Sequence, residues 1–120
     1  MLWLALCLAA FSTAALPGNA LRFNGVNSYA SVTNNAALDA YPMTVSAWFR
    51  CGTNNGGVQV IAAKYVDQSY NGWAMVVQNG QLHGYFFRNI STYALDAYSG
   101  TSVVDGVWHQ AAMVVDTAGG

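Results

Sequence analysis

The sequence predicts an all-β chain folded as an antiparallel β-sandwich, incomplete at its C-terminal end. Three features carry that reading. Asn79-Gly80 joins two apolar runs, 73–78 and 81–87, and Asn-Gly is the pair favoured in a two-residue hairpin turn because both central residues take positive φ. Asp105-Gly106 is a second turn pair, opening onto a run rich in Val, Met and Ala that ends at Asp116. Clusters of Asn and Gly, such as 52–57, separate the apolar runs at intervals that favour a sandwich over strand-helix-strand units.

From the N-terminus, 2–16 is an almost unbroken apolar stretch with the length of a signal-peptide core, too short for a bilayer interior of about 30 Å. Small residues allow cleavage after Ala15 or Ala20, so the expected organisation is a signal peptide at 1–20 and one domain at 21–120. No Lys or Arg precedes the apolar run, which leaves open a start further upstream, and a buried N-terminal element is the competing reading. Strands are expected at 21–24, 28–33, 43–50, 58–65, 72–78, 81–87 and 108–115, with a weaker one at 101–104. One helical turn is expected within 35–41, capped by Asn34 or Asn35. Alternation in 43–50 places Met43, Val45, Ala47 and Phe49 on a core face and Thr44, Ser46, Trp48 and Arg50 on the other. After 108–115 comes only the turn-like Thr117-Ala118-Gly119-Gly120, so the sheet is expected to keep an open edge that further strands or another chain would cover. The pentapeptide Ala-Leu-Asp-Ala-Tyr occurs at 37–41 and 94–98, but its flanks do not align, which argues against a repeat. Cys7 would leave with the leader, so Cys51 is expected as a buried thiol unless its partner lies outside this sequence.

Several of these segments, in this order, resemble the laminin G-like jelly roll of the concanavalin A-like lectin and glucanase superfamily. Leu21-Arg22-Phe23-Asn24-Gly25 with Tyr29-Ala30-Ser31-Val32 is similar to that family's opening hairpin. Met43-Thr44-Val45-Ser46-Ala47-Trp48-Phe49 resembles its "Phe-Thr-Val-x-Ala-Trp-Val" strand, and Ile61-Ala62-Ala63-Lys64 with Gly72-Trp73 its "Ile-x-x-Lys" and "Gly-Trp" strands. Asp105-Gly106-Val107-Trp108-His109 resembles its Asp-Gly-x-Trp-His turn. The resemblance implies a two-sheet jelly roll, with Trp73 in the core. Two departures stand out: Asn24 occupies a usual Asp position, and the later Leu-Tyr-Val-Asp-Gly strand is absent.

Charged residues make up only 8% of the chain and the net charge is -1, so the sequence offers no electrostatic footprint for nucleic acid or anionic lipid. Enzymatic chemistry meets a different obstacle. Glycoside hydrolysis requires two facing carboxylates, the related jelly-roll glycosidases use glutamates, and this chain contains no Glu. Its aspartates, Asp39, Asp67, Asp96, Asp105 and Asp116, are scattered without paired spacing, as turn and cap residues are. His83 and His109 accompany no nucleophile motif, and His109 reads as a structural hydrogen-bonding residue.

Binding chemistry fits better. A sugar needs an exposed aromatic ring to stack on and amides or carboxylates to bond its hydroxyls. Tyr65, Asp67, Gln68, Tyr70 and Asn71 gather these types between two strands and are the predicted ligand-binding residues, with Trp73 beside them. A second cluster is Arg88-Asn89-Ile90-Ser91-Thr92-Tyr93, where Asn89 also heads a glycosylation sequon, meaningful only in a eukaryotic secretory pathway. No cofactor is expected, though Asn24, Asp67, Asn71 and Asp105 are candidate Ca2+ ligands without a recognisable loop spacing, so a metal site stays undefined. The combined expectation is a secreted, extracellular or cell-surface module, non-catalytic, with a glycan or extracellular protein as partner. The alternative is a structural adhesion module without sugar affinity, attached to an enzyme or surface domain in the complete gene.

Overall fold

The computed structural model describes residues 20–39, 41–53, 56–65, 71–89 and 92–116. The proposed signal peptide thus lies outside the described residues except for Ala20, as do Cys7, Asp67, Gln68, Tyr70, Ile90 and Ser91. The chain divides after Ser31 into two compact units.

In the first unit the Asn24 side chain organises the backbone. Its Oδ1 accepts the N–H groups of Val26, Asn27 and Ser28 at 2.9 to 3.0 Å, while Nδ2 donates to Asn27 Oδ1 at 2.7 Å. Amides gathered onto one side-chain oxygen are withdrawn from a ladder. The strands expected at 21–24 and 28–33 are not formed among the described residues; the Asn24-centred turn stands between the two segments.

The second unit begins with a single 3-10 turn, Ala36–Asp39. Asn35 is its cap: Oδ1 accepts the Ala37 N–H and the backbone carbonyl accepts the Leu38 N–H, both at 2.9 Å. Among the described residues six strands follow: β1 Met43–Arg50, β2 Val58–Tyr65, β3 Gly72–Gln78, β4 Gln81–Asn89, β5 Thr92–Ser102 and β6 Trp108–Val115. Five sit where their sequence places them. β5 was visible only at its end, because Ala, Ser, Asp and Gly have weak strand preference and cross-strand pairing has to supply the order. The duplicated pentapeptide makes the same point: its first copy overlaps the 3-10 turn and its second lies in β5.

All four pairings between strands are antiparallel, in a four-stranded sheet ordered β2-β3-β4-β5 and a two-stranded sheet β1-β6. Between β3 and β4, Asn79 (φ 52°) and Gly80 (φ 81°) both take the left-handed conformation, as the Asn-Gly pair implies. The core lies between the sheets. Met75 and Phe86 meet Ala111, Met113 and Val115 of β6, and Met43, Val45, Ala47 and Phe49 of β1 pack against this cluster on the face that alternation assigned to them. Trp73 also packs there, its Nε1 buried without an acceptor among the described residues. β3 is covered on both faces, since all of 74–77 is buried and Val76 is 0% exposed.

Cys51 departs from its expected apolar burial. It is half-buried, and its Sγ donates to Gln59 Oε1 at 2.8 Å, while Gln59 Nε2 donates to the Thr53 carbonyl at 2.7 Å. Among the described residues, no helix is long and apolar enough to cross a membrane.

Candidate functional site

What covers β3 on the side away from the core is a row of aromatic side chains. Strand alternation sends Leu82 and Phe86 of β4 inward, and therefore Gln81, His83, Tyr85 and Phe87 outward. The register sets His83 opposite Val76 on one side and Tyr98 on the other, and Tyr85 between Ala74 and Asp96. Small residues on β3 let the large rings lean across it. The extreme case is Gly72, which lies between Tyr65 of β2 and Phe87 of β4. With no side chain at Gly72, the rings of Tyr65 and Phe87 stack at 5.5 Å, and Tyr65 meets Tyr85 edge-on at 5.5 Å.

The opposite end of the row is polar. His83, only 5% exposed, has Gln78 Oε1 2.8 Å from Nδ1 and Asp96 Oδ1 2.8 Å from Nε2. An ionised carboxylate only accepts, so Nε2 donates to it. The Tyr98 ring lies flat on the imidazole, 3.9 Å between centroids at 9°, and remains 49% exposed. Asp96 keeps 46% of its side chain in solvent. A buried imidazole thus positions two exposed groups, a ring and a carboxylate.

A separate polar cluster closes the turn before β6. Asp105 Oδ1 accepts the Val107 N–H at 3.0 Å and lies 2.9 Å from His109 Nε2. The Val107 N–H first, and His109 second, hold the Asp105 carboxyl below its ordinary value. His109 also stacks on Phe49 at 5.6 Å, so it has the structural role its sequence context implied. On the outer face of the same sheet, the Arg50 guanidinium sits 5.8 Å from the Trp108 ring centroid.

Of the predicted ligand-binding residues, Tyr65 ends β2 within the aromatic row and Asn71 lies exposed immediately before β3. Asn89 is the last residue of β4, paired in register with Thr92. The candidate cation ligands Asn24 and Asp105 direct their oxygens to backbone turns. Among the described residues, no group of three or more His, Cys, Asp or Glu is placed to hold a metal ion.

His83, Tyr85, Asp96 and Tyr98, which the sheet brings together, were not among the residues the sequence singled out for binding. The spacing of Gln81, His83, Tyr85 and Phe87 at every second position was a usable indication. Asp96 and Tyr98 carried none until β5 was recognised as a strand.

The family model of the concanavalin A-like lectin/glucanases superfamily, laminin G type, matches residues 24–120. The chain belongs to this family. Two antiparallel sheets packed face to face are the architecture that membership implies, and the aromatic row of this laminin G-like chain is built on the larger one. No curated protein and no solved structure matches it.

Proposed function

We propose that this laminin G-like chain is a secreted, non-catalytic module that binds carbohydrate across the outer face of its four-stranded sheet. The observation that carries the reading is Tyr98, a ring fixed from beneath by His83, half-exposed above, with an exposed carboxylate two residues away on the same face. A hexose presents an apolar C–H face edged by hydroxyls, and that pairing of ring and acceptor matches it. Tyr65 lies in the aromatic row and Asn71 is exposed before β3; Asp67, Gln68 and Tyr70, candidates by residue type alone, lie outside the described residues. The absence of Glu from the sequence supports a binding role over hydrolysis, and the apolar leader at 1–20 supports secretion.

The test is a glycan array probed with the wild-type chain and with Tyr98→Ala. Retention that falls at least about tenfold in the variant, with an unchanged melting temperature, supports the reading. Equal retention by both would remove Tyr98 from the site and the reading with it.

A second reading, a protein-binding adhesion module, draws on the outer face of the β1-β6 sheet. There Trp48 is 64% exposed, Val114 63% and Trp108 51%. Exposed apolar surface of this kind is one mark of a protein–protein contact. A silent array would favour it.

A further inference from the structure

We infer that this sheet face selects uncharged hexose chains over sulfated or uronate-bearing ones, with Asp96 as the residue that sets the choice. The inference rests on the reading of the face as the glycan site and concerns which glycan it takes.

Hydrogen-bonding polarity is the first ground. A sulfate or carboxylate group offers only acceptors, so a site for it needs cations or N–H donors aimed outward. The polar groups positioned here are the reverse. Asp96 is an acceptor, and its other interactions anchor it: His83 Nε2 holds Oδ1 at 2.8 Å, and His83 is itself held by Gln78 at 2.8 Å and covered by Tyr98. Such a carboxylate has little freedom to swing aside from an approaching anion. Tyr98 directs its hydroxyl hydrogen to Gln78 Oε1 at 3.4 Å rather than outward. A neutral sugar hydroxyl can donate to Asp96; a sulfate cannot.

Charge placement is the second. Within the sheet, the charged side chains described are Lys64 and Asp96. Lys64 stands in register with Trp73, a residue of the core side, so alternation directs it away from the aromatic row. Among the described side chains of this sheet face, the basic group is His83, whose two ring nitrogens both turn inward to Gln78 and Asp96, so the charged group left facing solvent is the Asp96 carboxylate. The whole chain holds only four Lys and Arg residues, too few for a dense basic patch elsewhere to compensate.

Titration calorimetry separates the two claims. The probes are cellohexaose, mannohexaose and β-1,4-galactohexaose as neutral chains, and a heparin hexasaccharide and hexagalacturonate as anionic ones. The wild-type protein is expected to bind at least one neutral chain, and to bind each anionic chain at least about tenfold more weakly. Asp96→Asn should weaken the neutral chain several-fold, and Asp96→Lys should narrow or invert the preference, with circular dichroism confirming the fold of both. Tyr98→Ala should abolish neutral binding. Anionic chains bound as tightly as neutral ones, and lost in Tyr98→Ala, would overturn the selectivity while leaving the site in place. Neutral binding unchanged in Tyr98→Ala would overturn the site itself; silence toward all three neutral chains with an anionic chain bound would overturn the selectivity, and silence toward all five would overturn the glycan reading beneath it.

Discussion

Replacing Gly72 by Ala should disrupt both the fold and the aromatic row. Gly72 has φ 109°, and a Cβ built there falls 1.9 Å from the Lys64 carbonyl oxygen, against 3.4 Å or more for an ordinary contact, a shortfall of 1.5 Å. The next nearest atoms, Lys64 C at 3.0 Å and Tyr65 Cα at 3.3 Å, are also backbone of β2, so no rotamer change relieves the clash. The left-handed conformation alone costs a side chain about 1–2 kcal/mol. Moving β2 away weakens the Lys64–Trp73 and Tyr65–Gly72 pairings, at about 1 kcal/mol per hydrogen bond lost. The total is about 3–4 kcal/mol, large for one methyl group. Gly100→Ala is the matched control: its φ is 71°, with no atom within 4 Å of the added Cβ, so only the conformational cost of about 1–2 kcal/mol applies. Urea denaturation of both variants measures the difference. Near-equal losses would show that β2 does not approach Gly72 as closely as described. If Gly72→Ala still folds, the displaced strand should also separate Tyr65 from Phe87, which near-ultraviolet circular dichroism would detect as a changed aromatic signal.

The core and the second polar cluster give two further tests. Met75 is 1% exposed at the centre of the sheet-to-sheet contact, so Met75→Ala should cost about 2–5 kcal/mol by chemical denaturation; a loss under about 1 kcal/mol would mean the sheets do not pack there. Asp105 should titrate below its ordinary value of 3.8 when followed by carbon NMR of its carboxyl. Because the folded value is the lower one, its stabilising contribution is present above the ordinary carboxylate range and disappears as pH falls through the depressed value. Asp105→Asn should remove that pH dependence, and an unshifted Asp105 midpoint would contradict the turn geometry.

Strands β1, β2, β3, β4 and β6 were legible because each combines apolar residues with a turn pair or Asn/Gly cluster at its boundary. Trp73 as core and Asn35 as cap followed from equally local chemistry. Other parts depend on what a segment meets in space. The amides of 26–28 turn onto Asn24, so the turn between 21–24 and 28–33 is present while the flanking strands are not. β5 becomes a strand through its register with β4, and the pentapeptide it shares with the 3-10 turn shows how little five residues fix by themselves. The site follows the same division. Tyr65 and Asn71 were proposed by residue type, whereas the His83, Asp96 and Tyr98 cluster exists only once β4 and β5 are side by side.

The sheet face as a glycan site is tested most directly by backbone amide NMR of the labelled protein titrated with the neutral hexasaccharide that binds it best. Shifts should concentrate on His83, Tyr85, Asp96 and Tyr98, extending toward Tyr65 and Asn71. Shifts confined to Trp48, Trp108 and Val114, or absent throughout saturation with every neutral chain tried, would contradict it.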